Sequence, residues 1–230
     1  AYHVLETHSE GVYTAGDANA DYDIFGDHIS RFVHTIGYTS PHITENRPSE
    51  QEIFDILMGK RTEEGAGQKL PEGTSAREAY AEHVQETMKE KFKQDFSHLT
   101  VTETIDSIEY FAFPNAFFFP GLQLSMVYRF RPNGVDGALF DLLFLRPKPI
   151  DGPCPPPPEP FALEIEDSYK KCPGTEFLGA VYDQDTNNLL SQTKGFKSSF
   201  KKGQSLGNYQ EARTRHFHQT IDKYLENING

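Results

Sequence analysis

The spacing of apolar positions changes along the chain, and each change marks a different kind of element. In "SEQEIFDILM" (Ser49–Met58), Ile53, Ile56 and Leu57 fall at i, i+3 and i+4, which puts them on one face of a helix. Glu52 follows Ser49 by three residues, so hydroxyl and carboxylate can each satisfy a backbone N–H that a helix start leaves open. Pro48 and Ile53 flank this box as an apolar staple. A longer helix is predicted over Ser75–Phe96, where Tyr80, Val84, Met88 and Phe92 recur every four residues among charged neighbours. "KRTEEGAGQKLPEG" between them has no period and reads as loop. From Leu99 to Pro132 the chain turns rich in β-branched and aromatic residues. There Leu122, Leu124, Met126, Tyr128 and Phe130 alternate with Gln123, Ser125, Val127 and Arg129, as a half-buried strand requires.

Turn chemistry connects these pieces. Asn133–Gly134 is a turn signal before "ALFDLLFLRP", and two strands so closely joined imply an antiparallel sheet. "GDHISRFVHTIGY" is a further strand, carrying His28 and His34. "KPIDGPCPPPPEP" reads as an exposed, extended connector. Phe161–Val181 is expected to return a strand to the same sheet. "DTNNLLSQTKGF" predicts a helix with Asp or Thr near its cap and Gly195 near its stop. In the last helix Tyr209, Ala212, Phe217, Ile221 and Tyr224 share a face. The fold class expected is α+β, an antiparallel β-sheet wrapped around a long C-terminal helix, with residues 1–230 as one domain.

Composition narrows the functions. A net charge of −12 and a pI near 5.2 argue against nucleic-acid binding. No apolar run approaches the ~20 residues of a membrane span, and no basic-then-apolar leader is present. Cys154 and Cys172 make neither a metal spacing nor a disulfide framework, so a reducing, cytoplasmic setting is expected. The 18 Phe and 11 Tyr with no Trp suit a wide apolar interior or a β-rich core.

Chemistry concentrates at two places. "AYHVLETH" carries His3 and His8, five apart. In a regular helix such residues point ~140° apart, so a shared metal needs an irregular turn. On its own this spacing is that of ordinary histidines. "VYDQDTNNLLSQTKGF" offers Asp183 and Asp185, which as a bland alternative would cap a helix. His216 and His218, two apart on the terminal helix, cannot share a face and read as packing or surface groups. Glu63–Glu64 and the lysines Lys89, Lys91 and Lys93 read as solvated faces, and "KGFKSSFKKG" as a solvated loop.

In chain order, "AYHVLETH", "PNAFFFPGLQLSMVYRFRP" with its Pro114–Asn115 step, "VYDQDTNNLLSQTKGF" and "YQEARTRHFHQTIDKYL" resemble the catalytic domain of the Rieske non-haem iron, aromatic-ring-hydroxylating oxygenase α subunit. The resemblance covers essentially the whole chain and implies a helix-grip, START-like fold. It implies a mononuclear Fe(II) held by two histidines and a carboxylate, matched here by His3, His8 and Asp185, the last in a D-x-x-N reading with Asn188. Asp183 stays open as the alternative ligand. The resemblance further implies dioxygen chemistry on an aromatic or other apolar substrate, as in aromatic hydrocarbon catabolism. Electrons are expected from a Rieske iron–sulfur cluster fed by a ferredoxin or reductase, in a homotrimer or α3β3 assembly. No CxH…CxxH pair for that cluster occurs in the sequence, so it is expected upstream of Ala1, and the chain alone is expected not to turn over. The rival is a metal-free module of the same architecture that binds a hydrophobic ligand.

Overall fold

A computed structural model describes residues 20–39, 45, 47–59, 67–175, 178–201 and 203–228. In chain order the elements are β1 (Ala20–Phe25), β2 (Ile29–His34), α1 (Glu50–Leu57), α2 (Ala76–Phe92), α3 (Val101–Ile105), β3 (Ser107–Ala112), β4 (Ala116–Pro120), β5 (Ser125–Pro132), β6 (Ala138–Phe144), a 3₁₀ turn (Tyr169–Lys171), α4 (Gly179–Ser198) and α5 (Ala212–Ile228). The described residues from Asp151 to Ser205 form one compact unit. Those up to Ile150, together with those from Leu206, form a second.

The second unit is built on a six-stranded antiparallel sheet whose spatial order is its sequence order. Among the described residues, three helices are inserted between β2 and β3. Each begins with the same device: the side chains of Ser49, Ser75 and Thr100 accept from the backbone N–H of Glu52, Glu78 and Glu103, whose carboxylates reach back to the cap N–H. These hydrogen bonds hold all three carboxyl groups below the usual glutamate range. The box at Thr100 overturns one expectation. Val101–Ile105 is helix, not strand, because capping outweighs the β-branched composition over so short a run. The carbonyls of Glu103 and Thr104 then accept from Leu122 N (2.9 Å) and Gln123 N (3.1 Å). That commitment is why β5 starts at Ser125 instead of Leu122. The α2 helix also stops early, at Lys93 in left-handed conformation (φ 57°), and Phe96 is buried beyond its end.

The core of the inserted helices is Ile53 and Phe54 from α1, Ala79, Tyr80 and Val84 from α2, and Ile105 from α3. A buried ion pair ties it to the sheet. Arg77 Nη1 and Nη2 donate to the two carboxylate oxygens of Asp106 at 2.7 and 2.9 Å, and Asp106 also accepts from Ile36 N at 3.0 Å. Asp106 is 1 % exposed and Arg77 8 %. The guanidinium also donates to the Ile36 carbonyl and lies over the Tyr38 ring at 4.7 Å. Gly37 must be glycine here. Its φ is +76°, and a Cβ would sit 2.7 Å from Arg77 Cγ.

One face of the sheet is aromatic. Ring centroids step from Phe111 to Phe117 (4.8 Å), to Phe130 (5.9 Å) and to Phe140 (4.6 Å, stacked). The α5 helix meets this face through Phe217, 5.6 Å from Phe111, but its buried residues are polar. Arg213 donates to Ser30 Oγ (3.0 Å) and Glu109 (2.5 Å), His216 Nε2 to the Gly26 carbonyl (2.8 Å), and Thr220 to the Asp27 carbonyl (2.8 Å). The terminal helix is therefore gripped by hydrogen bonds as much as by the apolar stripe the sequence suggested. The opposite face carries cross-strand ion pairs, Arg31 with Asp23, and Arg129 and Arg131 with Asp141. The expected turn at Asn133–Gly134 closes β5 onto β6, with Asn133 N donating to Gly137 O at 2.9 Å.

The smaller unit corrects one further expectation. No strand forms among the described residues of Phe161–Val181, where the 3₁₀ turn and the start of α4 stand instead. The proline-rich stretch from Asp151 to Pro160 is exposed as expected and carries no regular secondary structure, and the boundary between the two units falls at its start. Residues 60–66 of the expected loop lie outside the described residues.

Two outcomes test this account. Asp106→Ala leaves a buried guanidinium uncompensated and should cost about 3–5 kcal/mol in urea unfolding, with Asp106→Asn costing less. Arg131 first, and Arg129 after it, hold Asp141 down to about 2 from an ordinary 3.8. A depressed carboxyl stabilises the fold fully above its unfolded pKa, and that contribution is lost as pH falls through about 2. Asp141→Asn should therefore lower stability by about 1 kcal/mol at pH 7, since its arginines are half exposed, and the difference should vanish below about pH 2.

Candidate functional site

The acidic segment folds into the first half of α4. The helix begins without a side-chain cap. Leu178 holds the cap position, and the Thr175 carbonyl accepts from Leu178 N and Gly179 N at 3.0 and 2.6 Å. Helix thus starts earlier than "DTNNLL" suggested, and Asp183, Asp185 and Gly195 all lie inside it. Neither aspartate is the cap of its own helix.

Asp183 does cap something else. Its carboxylate accepts from Ser168 Oγ at 2.6 Å and from Tyr169 N at 2.9 Å, the first residues of the 3₁₀ turn. The turn lies close against the helix because position 179 has no side chain. A Cβ there would meet Lys170 Cγ, N and Cα at 2.9, 3.0 and 3.1 Å. Thr175, 1 % exposed, donates its hydroxyl toward the carbonyls of Tyr169 and Cys172 and so closes the turn from below. Tyr169 packs its ring 5.4 Å from that of Tyr182, which is buried. Burial pushes the Tyr169 phenol up, its hydrogen bond to Thr186 opposes this, and the charges of Asp183 and Asp185 add to the rise.

Asp185 faces another way. At about 100° per residue, two steps along a helix place it about 160° from Asp183 around the axis. It is half-buried, with Oδ1 sealed from solvent, and half-buried Asn188 follows three residues on, on its side of the helix. The structure therefore separates the two aspartates that the sequence left as alternatives.

His3 and His8 lie outside the described residues. Among the described residues no group of three His, Cys, Asp or Glu side chains is placed to hold a metal ion. His28, in the β1–β2 turn and not within a strand, bonds Tyr224 Oη through Nε2 at 3.0 Å. His34 ends β2, with its ring 5.8 Å from Phe32. His216 is buried and bonded as described, and His218 is exposed. A polar cleft of about 270 Å³ lies along Tyr38, Glu50, Arg77 and Glu78. Its charges are already engaged, Arg77 by Asp106, Glu50 by Ala76 N and Glu78 by Ser75. The residues that sequence reasoning missed are Ser168, Tyr169 and Gly179. The contacts of Ser168 and Tyr169 with Asp183, and of Gly179 with Lys170, are tertiary and leave no local pattern to read.

A site of two imidazoles and one carboxylate needs a carboxylate that directs lone pairs at a cation. Both oxygens of Asp183 face O–H and N–H donors on the clamped side of α4, whereas Asp185 is carried on the other side. Two imidazoles beside such a carboxylate would make a donor set that suits divalent iron.

No described helix is long and apolar enough to cross a membrane. No curated protein and no solved structure matches the chain. The family model described as the ring hydroxylating alpha subunit (catalytic domain) matches residues 1–227, which include the histidine segment, the sheet, the acidic helix and nearly all of α5. With that coverage, and with the antiparallel sheet and C-terminal helix in place, the chain belongs to the family of ring-hydroxylating oxygenase alpha-subunit catalytic domains.

Proposed function

We propose that this domain uses Fe(II) and dioxygen to hydroxylate or dihydroxylate an aromatic or other apolar substrate, with His3, His8 and Asp185 as the iron ligands. Family membership supports the reaction class. The observation that carries the choice of carboxylate is the engagement of both Asp183 oxygens by Ser168 and Tyr169.

Two neutral imidazoles and a carboxylate leave neighbouring coordination positions open, and bound iron would supply the activation of dioxygen there. The other tasks belong to the chain. His3 and His8 contribute neutral ring nitrogens. Asp185 contributes one negative charge from a helix held in place by the 3₁₀ turn, and Asn188 stands one turn further along the same side. In this reading the electrons come from a Rieske cluster fed by a ferredoxin or reductase. Cys154 and Cys172 form no CxH…CxxH pair, so residues other than 1–230 build that cluster. A cyclic homotrimer or an α3β3 assembly in the cytoplasm would set one subunit's cluster beside the next subunit's iron.

Iron content tests the ligand set. The intact protein should bind about one iron per chain, and His3→Ala/His8→Ala and Asp185→Ala should each bring this close to zero while the circular dichroism stays unchanged. Normal iron in the double histidine variant would overturn the assignment. A chain that binds no iron but takes up an apolar dye would be the metal-free ligand-binding module.

A further inference from the structure

We propose that the segment Ser168–Lys171 is a rotational lock on α4, which by holding Asp183 aims Asp185 toward the metal. The inference rests on the iron reading above and concerns positioning residues, none of which would touch the metal.

The geometry is that of a clamp. A helix free to roll about its axis would carry Asp185 through an arc, and a ligand needs its direction fixed within about 10–20°. Three contacts stop the roll on one side. Asp183 receives a hydroxyl and a backbone N–H from consecutive residues, so it is held at two points. Gly179, one turn earlier on the helix, lets the Lys170 backbone come so close that a Cβ there would sit 3.0 and 3.1 Å from its N and Cα, tight enough to push the segment outward. Tyr169 lies along Tyr182 and reaches Thr186, two positions that fall between Asp183 and Asp185 around the helix. The grip is itself braced, because Thr175 ties the Tyr169 and Cys172 carbonyls. Clamping one side of a helix fixes the azimuth of the other, and Asp185 is on the other.

Cobalt(II) titration of the full chain tests this, reading both affinity and the visible ligand-field bands, which report coordination geometry. Asp183→Ala should weaken binding about 10- to 100-fold and alter the bands, as loss of a supporting partner does at metal sites. Gly179→Ala should do the same without removing any polar group. Asp183→Asn keeps an oxygen that accepts from Tyr169 N–H and should recover most of the affinity and the parent spectrum. If Gly179→Ala does not fold, Ser168→Ala replaces it. That variant removes one of the two bonds and should weaken binding by a smaller factor, about 3- to 10-fold. Parent affinity and parent bands in Asp183→Ala, with binding lost in Asp185→Ala, would overturn the lock and leave the iron reading standing. Asp183→Asn failing as completely as Asp183→Ala would also overturn it, by making Asp183 a ligand. Parent-like binding in Asp185→Ala would instead sink the iron reading beneath it.

Discussion

The buried pair of Arg77 and Asp106 is the constraint on which the larger unit depends. Asp106 sits where α3 turns into β3, Arg77 lies in the first turn of α2, and Ile36 follows β2. One carboxylate thus joins the helical insertion to the two strands on either side of it. Charged groups this deeply buried are tolerable only when they are well paired, and here both carboxylate oxygens and both terminal guanidinium nitrogens have partners. An apolar replacement of similar volume would satisfy burial but would not select this register among others. Gly37 shows how tight the fit is, since the chain passes so close to the arginine stem that only a residue without Cβ can stand there.

The same chemistry recurs in both units. Asp106 accepts from Ile36 N, Glu50 from Ala76 N, and Asp183 from Tyr169 N. In each case a carboxylate on one element takes a backbone N–H at the end or start of another. A carboxylate is well suited to this, because it offers several lone-pair directions and its charge strengthens each bond. The acidic balance of the chain, which by composition merely excluded partners, is in part a set of tertiary fasteners. Apolar burial supplies the bulk of the core in Ile53, Phe54 and Val84. The carboxylates decide how the elements meet.

Sequence pattern read the periodic parts of this fold well. The Ser49–Glu52 box, the α2 stripe, the β5–β6 hairpin and the terminal helix follow from spacing and turn chemistry, because those forces act within a few residues. It failed where a short local signal competed with composition. Thr100 and Glu103 form the same box as Ser49 and Glu52, yet the β-branched residues around them suggested strand. It failed again where a helix starts without a cap, at Leu178, since nothing local marks the boundary. Spacing put Asp183 and Asp185 in one acidic segment but did not tell the two apart. That difference is made by Ser168 and Tyr169, some 15 positions away, and spacing along α4 cannot contain it.

The unbroken order of the sheet, β1 through β6, bears on how the chain reaches it. Four of its five seams join strands that are neighbours in sequence and can close as hairpins on the microsecond scale. The seam between β2 and β3 is different, because Ile36 and Asp106 lie 70 positions apart. Bringing the ends of so long a span together costs about 4 kcal/mol of chain entropy before any contact is made, less whatever the inserted helices have already ordered. Compact helices shorten the effective tether, so the three capping boxes act on assembly as well as on stability. The insertion carries its own fasteners for the same reason that its seam is slow. It must become a short object before the two parts of the sheet can find each other.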